Sequence, residues 1–378
     1  GDRQTLGHHR RLQQPRWGLM PSRRAFLAGL TSASLTPTLG WADVGNPIAL
    51  SAALRPDGQH VLVGLTAAGA ITFEIPLPAR GHAAAAHPDV AEAVAIARRP
   101  GTFAKVIDCA SGAVIHSLHA PQGRHFFGHG AFSSDGTLLF APENTIATGL
   151  GWIGVWDRSA GYRRLDSFTS AGIGPHEILR LPNGLLAVAN GGIRTHPSTG
   201  RDKLNLDTMR PNLVLFDASG QLTDFAELPA DLHQNSLRHI AAARDNTVVC
   251  GFQWQGDPFD APPLVALYTG DGTLSQAQMD DTALFGLDGY IGSVSAFGND
   301  HYAASAPRGN TTFVFDAAGA QTGAVRATDV CGLCAAPQDT CVVTDGTGRV
   351  HWLRDNTLTQ IATHPLAFDN HLVALTYT

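Results

Sequence analysis

The chain consists of short hydrophobic runs separated by turn sequences at a nearly regular interval. Runs such as HVLVGL, AITFEI, WIGVW, LVLFD and TFVFD are rich in β-branched and aromatic residues, which favour strands. Between them lie RPDG, SSDG, LPNG and DASG, whose Gly, Asn and Asp residues suit tight turns. Apolar residues do not keep a helical period for more than about two turns anywhere. The sequence therefore predicts an all-β protein.

The spacing of these runs predicts a seven-bladed β-propeller. Strands that begin a repeat are expected near residues 47, 81, 122, 172, 231, 288 and 328. Their interval of about 48 residues suits a blade of four short strands with its loops. The last run, FDNHLVAL, has no partner of its own, so we expect this C-terminal strand to close the ring by completing the first blade. A β-sandwich is the alternative, but seven similar units are too many for one sandwich.

The N-terminal residues have the pattern of a targeting segment. The sequence SRRAFL at 22–27 precedes a short, weakly apolar run, which is typical of a twin-arginine (Tat) export signal. We therefore predict an N-terminal extension with signal peptide over 1–42 and one propeller domain over 43–378, with Met20 as the expected translation start. Export in the folded state predicts a periplasmic protein. The apolar run is shorter than the roughly 20 residues that span a membrane, so no span is expected in the mature chain.

Charge argues against nucleic acid as a partner. The chain has 26 basic and 32 acidic residues. Six of the basic residues and only one of the acidic residues precede position 43. The remainder carries 20 basic and 31 acidic side chains, a net charge of −11 with neutral histidines. A surface of this sign without basic blocks does not suit nucleic acid or anionic membranes.

The odd number of cysteines leaves their use open. They are Cys109, Cys250, Cys331, Cys334 and Cys341. An oxidising compartment permits a disulfide between Cys331 and either Cys334 or Cys341. The motif CGLC also fits a redox pair or half a zinc site, although no second CxxC accompanies it. Structural or disulfide use is the favoured interpretation.

Four histidines occupy the same point of successive repeats, in GHGAF, PHEIL, RHIAA and NHLVA. They are His129, His176, His239 and His371. The innermost strand of each propeller blade lines the central channel, so equivalent residues near its start converge at one mouth. Neutral imidazole binds iron, copper and zinc. The pattern predicts a shared metal site, with polar channel packing around ordered water as the alternative.

Other polar residues are expected at the same mouth. Additional histidine ligands or supporting residues are His82 and His87 in RGHAAAAHP, His125 in RHFFGHG and His196 in the long loop 190–211. Arginines recur beside the histidines at Arg124, Arg194, Arg201, Arg238 and Arg308. Guanidinium groups suit a ligand that carries carboxylate or phosphate, and hydrogen bonding between blades explains them equally well. The nearby carboxylates are Glu143, Glu177 and Asp369, with a structural role favoured for Glu143.

Several enzyme signatures are missing from the sequence. It contains no GxSxG elbow, P-loop, HExxH motif or Rossmann glycine motif. Ala335 follows Cys334, so the CxxCH motif that attaches c-type haem covalently is also missing. Haem held non-covalently between histidines remains compatible with the sequence.

An ordered series of motifs links the chain to a family. RGHAAAAHP, ARRPG, RHFFGHGAFSSDG, GIGPHE, VANGGIRTHP, LNLDTMRP, SLRHIA and SAPRGN closely resemble domain-of-unknown-function family 1513, over roughly residues 47–375. That family of Tat-exported bacterial proteins is regarded as propeller-like. Its members are commonly encoded beside imelysin-type periplasmic proteins and dihaem thiol-oxidoreductase-like proteins, in clusters linked to iron uptake. The resemblance implies a periplasmic role in iron acquisition, with those proteins as partners.

The resemblance also marks individual positions. The matching histidines are His82, His87, His125, His129, His176, His196, His239 and His371. The other matching residues, which we expect to bind the ligand, are Arg124, Asn190, Arg201 and Arg308. The first hypothesis is thus a binding protein for iron, with copper or non-covalent haem as rivals. A metal-dependent oxidoreductase or lactonase-like hydrolase, and a ligand-free scaffold for iron-uptake proteins, are the alternatives.

Overall fold

The computed structural model describes residues 39–375, so the predicted Tat motif and Met20 lie outside the described residues. Within that part of the chain, thirty strands form seven antiparallel sheets of four or five strands each. The sheets are the blades of a ring, so the predicted all-β, seven-bladed propeller is confirmed.

Each blade is one sheet, and its strands follow one another along the chain, except that the first blade also takes two strands from the C-terminus. The first blade contains β1 (Ala49–Leu54), β2 (His60–Leu65) and β3 (Ile71–Pro76), and the second contains β4 (Ala84–Ala86), β5 (Glu92–Ile96), β6 (Phe103–Asp108) and β7 (Val114–His119). The third contains β8 (Arg124–Phe126), β9 (Ala131–Phe132), β10 (Leu138–Thr145), β11 (Leu150–Asp157) and β12 (Arg163–Ile173). The fourth contains β13 (Pro175–Arg180), β14 (Leu186–Asn190), β15 (Asn212–Phe216) and β16 (Leu222–Glu227). The fifth contains β17 (Asn235–Ala242), β18 (Val248–Trp254), β19 (Val265–Tyr268) and β20 (Ser275–Gln276). The sixth contains β21 (Ser293–Phe297), β22 (His301–Ala306), β23 (Thr311–Asp316) and β24 (Gln321–Arg326). The seventh contains β25 (Val330–Ala336), β26 (Thr340–Asp345), β27 (Arg349–Arg354) and β28 (Thr357–Thr363).

The C-terminal segment closes the ring. Strands β29 (Ala367–Phe368) and β30 (Val373–Ala374) both pair antiparallel with β1, on the side away from β2. They form the innermost strand of the first blade, as the unpartnered run in the sequence predicts. The first strands of the blades begin two to five residues after the predicted repeat starts, at residues 49, 84, 124, 175, 235, 293 and 330.

Helical structure is confined to the connections. The described residues form short 3-10 helices at Trp41–Val44, Pro197–Thr199, Leu206–Thr208 and Ala230–Leu232, and one α-helix, α1 (Asp281–Gly286), between β20 and β21. Asp280 caps α1, because its side chain accepts a hydrogen bond from the Ala283 amide. No helix of the described residues is long and apolar enough to cross a membrane.

The core lies between the faces of neighbouring blades. Between the second and third blades, for example, Val94, Leu118, Phe126, Leu139 and Trp156 are all buried in one cluster. Full burial of such a side chain stabilises the fold by about 1.5–3 kcal/mol. The stacked blades thus hold the inner strands rigidly around the axis.

The cysteines belong to this core. All five are free and buried. Burial raises the pKa of Cys109, Cys331 and Cys341 to about 12, so these thiols stay protonated at neutral pH. They pack as small apolar side chains, and the disulfide that the sequence allowed for Cys331 does not form.

Antiparallel connectivity sorts the loops onto two faces. In each blade the loop from the second to the third strand opens on the same face as the connection to the next blade. Loops 97–102, 191–211, 255–264 and 307–310 therefore share one face, which we call the upper face. The innermost strands also begin at this face, so loop residues and strand-start residues meet there.

Candidate metal centre

Five histidines from five blades meet at the axis of the propeller. His371 lies between β29 and β30, His82 precedes β4, and His129 lies between β8 and β9. His176 is on β13 and His239 is on β17. All five are buried, and we refer to them as the histidine cluster. Four of them were selected by their repeat phase, and His82 comes from the group expected to supplement them.

The rings of the histidine cluster are in mutual contact. His129, His176, His239 and His371 form a closed circuit of ring contacts. The ring centroids are 5.3 Å apart for His129 and His176, 5.3 Å for His176 and His239, 4.9 Å for His239 and His371, and 4.8 Å for His371 and His129. His82 contacts three of them, at 5.0 Å from His129, 5.5 Å from His176 and 4.7 Å from His371. Because a metal–nitrogen bond is about 2.1 Å long, ring centroids of imidazoles on one ion lie about 3.2 Å from it and about 4.5–5.2 Å apart. The observed separations are close to this range.

Several ring nitrogens of the cluster lack a hydrogen-bond partner. The Nε2 atoms of His129 and His371 and the Nδ1 atom of His239 are buried without a hydrogen-bond partner among the described residues. The Nδ1 atom of His176 lies 2.9 Å from the carbonyl oxygen of Arg238, which makes Nδ1 the donor and leaves Nε2 with a lone pair. Buried polar atoms are normally paired, because leaving one unpaired costs about 1–3 kcal/mol. A bound ion would satisfy these nitrogens together.

Burial keeps the cluster neutral. It lowers the pKa of His82, His129 and His176 well below the ordinary value. Burial and the neighbouring charge of Arg238 lower the pKa of His239 to about 3. Burial and the neighbouring His239 lower the pKa of His371 to about 4. All five imidazoles are therefore unprotonated at neutral pH, which is the form that binds metal ions.

Glu177 supplies a carboxylate beside the cluster. Its Oε1 lies 3.7 Å from His129 Nδ1, and its Oε2 lies 3.4 Å from His239 Nδ1 and accepts a hydrogen bond from the Ile240 amide at 3.3 Å. Burial raises the pKa of Glu177 to about 7. The donor atoms of His82, His129 and His371 lie within 4.8 Å of one another, as do those of His129, His176 and Glu177. The carboxylate is placed either to bind an ion or to orient two of its ligands.

Space around the cluster is shaped by small residues. A cavity of about 240 Å³ is lined by His129, Glu177, His239 and His371 together with small inner-strand residues such as Ala83. On the loop that precedes β9, Gly128 has a φ of +101°, and a Cβ there would lie 2.7 Å from His82 Cδ2. Glycine is therefore required for His82 to reach the cluster.

Three histidines predicted as ligands lie elsewhere. His87 accepts hydrogen bonds at Nδ1 from the Asp89 and Val90 amides and packs against Phe132. His125 has its Nδ1 atom 2.9 Å from its neighbour's carbonyl oxygen, and His196 has its Nδ1 atom 2.6 Å from the Ser198 hydroxyl. His125 and His196 instead line a cleft of about 410 Å³ on the upper face.

Two of the predicted ligand-binding polar residues are engaged within the blades. Arg124 pairs with Glu143 at 3.1 Å and lies over the Trp152 ring. Glu143 is fully buried and also accepts from Arg164, which agrees with the structural role favoured for it. Asn190 donates to Ser170 and Asn212.

The other two reach the upper face. Arg201 lines the same 410 Å³ cleft as His125 and His196, together with Arg98 and Arg99. Arg308 stacks over the Tyr290 ring at 4.6 Å. Sequence reasoning did not single out Arg98 and Arg99 as ligand-binding residues; their ARRPG sequence between two strands was the available signal.

The fold is shared with solved structures of low sequence identity. One titled "Kuenenia stuttgartiensis Hydrazine Synthase" aligns with a TM-score of 0.56 and 14% identity, over 85% of this chain and 99% of that chain. "Crystal Structure of Mitotic Checkpoint Complex" gives 0.55 and 12%, over 75% and 77%, and "Crystal structure of RRP9 WD40 repeats" gives 0.52 and 13%, over 76% and 81%. At such identities the similarity concerns the fold alone.

Comparison with curated proteins finds no match. The family described as "Protein of unknown function (DUF1513)" matches residues 75–375, which include all five members of the histidine cluster. This span is most of the chain and agrees with the resemblance seen in the motifs. The chain therefore belongs to the DUF1513 family.

Proposed function

We propose that this protein is a metal-binding propeller whose histidine cluster holds a single iron ion. The observation that carries the proposal is the set of buried ring nitrogens on His129, His239 and His371 that have no hydrogen-bond partner among the described residues. The five neutral imidazoles have ring separations close to those expected around one ion. They supply more nitrogen lone pairs than a packed polar core needs. A core stabilised by hydrogen bonds would instead pair these nitrogens with one another or with the backbone.

The donor set favours iron over zinc and over haem. The five imidazoles in mutual contact, with Glu177 beside them, outnumber the four ligands that zinc usually takes. Imidazole also suits copper, which binds nitrogen sites more tightly than iron in the Irving–Williams order, so copper is the main rival. A haem group would need an open slot between two histidines, whereas each ring of the cluster contacts at least two others.

The role we propose is iron handling in the periplasm, after export through the Tat pathway. It rests on the motifs shared with a family whose members are encoded beside imelysin-type and dihaem proteins, which are the proposed partners. A site that is buried yet borders a cavity of about 240 Å³ suits an ion that is held and later passed on.

A metal-dependent enzyme, an oxidoreductase or a lactonase-like hydrolase, is the second candidate. It is favoured by Glu177, since a carboxylate with a pKa raised to about 7 beside a cavity suits a general base. Turnover of a redox or ester substrate that is lost in Glu177→Gln would support it.

The proposal is tested by elemental analysis of protein purified without chelator or affinity metal. We expect about one iron per chain in the wild type. We expect none in the triple variant His129→Ala/His176→Ala/His239→Ala, whose folding is checked by circular dichroism. His119→Ala removes an exposed histidine and should keep its iron. A wild type that is metal-free and takes up neither iron nor copper would overturn the proposal.

A further inference from the structure

Cationic side chains from four blades collect on the upper face. They come from the loops 97–102, 191–211 and 307–310 and from β17. We call this set the cationic collar: Arg98, Arg99, Arg201, Lys203, Arg238 and Arg308. The chain as a whole has a net charge of −6, so this concentration of positive charge is local.

The collar lies next to the histidine cluster. Arg238 directly precedes His239 on β17, and its carbonyl oxygen lies 2.9 Å from the Nδ1 atom of His176. The collar therefore borders histidines of the fourth and fifth blades. Its members also lie close to one another: Arg98, Arg99 and Arg201 line one cleft. Burial, together with the charges of Arg238 and Arg308, lowers the pKa of Lys203.

Most of the collar has no counter-ion in the described chain. Arg238 is only 9% exposed, and its Nε atom is buried with no hydrogen-bond partner among the described residues. Arg98, Arg201 and Lys203 form no ion pair within residues 39–375. Among the residues that the structure describes, Arg99 donates only to the Thr195 hydroxyl, at 3.0 Å.

The carboxylate that interacts with Arg98, Asp369, does not neutralise the collar. Asp369 is already held by Arg80 through two hydrogen bonds of 2.8 and 3.2 Å. Burying a guanidinium nitrogen without a partner is unfavourable, so an anion from outside the described chain would be stabilised beside Arg238. The cleft of about 410 Å³ between Arg98, Arg99 and Arg201 is large enough for a small organic anion.

We propose that the cationic collar binds the carboxylates of a small polycarboxylate chelate, so that the metal reaches the histidine cluster as an anionic complex. This inference rests on the metal-binding function proposed above. A bare metal cation would be repelled by the collar, whereas a chelate with net negative charge would be attracted to it. The planar fork of arginine matches a carboxylate with two parallel hydrogen bonds.

The transfer step is an exchange of ligands at the metal. Nitrogen lone pairs of the histidine cluster replace carboxylate oxygens, one bond forming as another breaks, and the oxidation state of the metal does not change. The freed carboxylates keep their negative charge and stay paired with the collar until the carrier leaves.

The test uses metal-free citrate as the probe, titrated calorimetrically into the full-length wild type at pH 7 and physiological salt. We expect binding that weakens at least tenfold in Arg98→Gln/Arg201→Gln. Both side chains are exposed, so the double variant should fold, which its melting temperature checks. The matched control is Arg326→Gln, an exposed arginine on β24, which should bind citrate like the wild type.

Carrier-free Co²⁺, followed by its absorption spectrum, reports the histidine cluster separately in the wild type. Co²⁺ binding without citrate binding would overturn the collar inference and leave the metal site standing. Citrate binding that depends on Arg98 and Arg201, without Co²⁺ binding, would support the collar and count against the metal function. Equal affinity for inorganic phosphate and citrate would overturn the assignment to carboxylates, as would a double variant that binds citrate normally.

Discussion

At the scale of single residues, Gly128 governs whether His82 can join the cluster. Its φ of +101° is strained for any other residue, and a Cβ would meet His82 at 2.7 Å. We expect Gly128→Ala to push the His82 ring away and to weaken metal binding about tenfold, a loss of about 1.4 kcal/mol. Metal titration of the variant measures this.

Gly58 offers the matched control for that substitution. Its φ is +87°, and a Cβ there would meet nothing within 4 Å. Gly58→Ala therefore introduces similar backbone strain without the clash, and should lower stability by about 1 kcal/mol while leaving metal affinity unchanged. Equal metal affinity in both alanine variants would show that His82 is not held by Gly128.

The buried histidines also predict how stability depends on pH in the metal-free protein. Their pKa is lowered in the folded state, to about 3 for His239 and about 4 for His371, against about 6.5 when unfolded. Between these values the unfolded chain binds more protons, so stability is present above pH 6.5 and is lost as pH falls toward 4. Each such histidine contributes up to about 1.4 kcal/mol per pH unit.

Glu177 acts in the opposite direction within the same window. Its pKa is raised to about 7 in the folded state, so it favours folding as pH falls below 7. One carboxyl opposes five histidines, and the net effect is a loss of stability in acid. Urea unfolding from pH 7.5 to 4.5 measures it, and the triple histidine variant should show a shallower slope. A wild-type free energy of unfolding that stays constant from pH 6.5 to 4.5 would contradict the expectation.

At the scale of strands, the cluster depends on irregularities that periodicity does not reveal. The register shifts between Pro175 and Glu177 on β13, and between Leu237 and His239 on β17. Such bulges let consecutive residues turn toward the same side, so Glu177 joins His176 at the channel. The repeat phase of the sequence predicted His176 and His239 correctly as axial positions, but strict alternation could not predict their neighbours.

A break in an inner strand separates two other histidines. The even spacing of His125 and His129 predicts one shared side of an extended strand. The structure interrupts the strand between β8 and β9, so His129 reaches the cluster and His125 lines the upper-face cleft. His87 likewise turns away, because its Nδ1 caps the amides of Asp89 and Val90. Local hydrogen bonding of this kind leaves no trace in the repeat pattern.

The closing strand makes its own prediction. Phe368 on β29 is 4% exposed and packs in the core cluster shared by the first and seventh blades. We expect Phe368→Ala to lower the free energy of unfolding by about 3–5 kcal/mol. Metal affinity should fall as well, because β29 anchors His371. Urea unfolding and metal titration measure the two effects.

Phe259 provides the comparison on the surface. It is 87% exposed, so Phe259→Ala should change stability by no more than about 0.5 kcal/mol. If Phe368→Ala were as mild as this control, the C-terminal strand would contribute little to closing the ring.

At the scale of the whole molecule, closure of the ring brings equivalent residues of successive repeats together at the axis, where they form one site. Seven similar units were enough to predict the architecture and the convergence of His129, His176, His239 and His371. The cationic collar was only partly predictable, since its members come from loops whose paths the repeat does not determine. Topology explains their meeting, because every second connection of an antiparallel blade opens on the upper face.

The cluster also joins parts of the chain that are far apart in sequence. His82 and His371 are in ring contact at 4.7 Å, and His371 belongs to the segment that closes the ring. A metal ion bound there would link β29 and β30 to four other blades. It would bind only the folded state and not the unfolded chain. At a free metal concentration of 100 times the dissociation constant, it should stabilise the fold by about 2.7 kcal/mol.

Hydrogen exchange locates that stabilisation. We expect metal to raise the melting temperature and to slow exchange of the Leu372 and Val373 amides, next to His371, more than that of amides on the outer strand β16. In the His129→Ala/His176→Ala/His239→Ala variant, neither effect should appear. A rise in melting temperature with uniform protection across the blades would mean that metal binds away from the axis. Protection concentrated at the closing strand would connect the residue that binds the ion to the step that completes the fold.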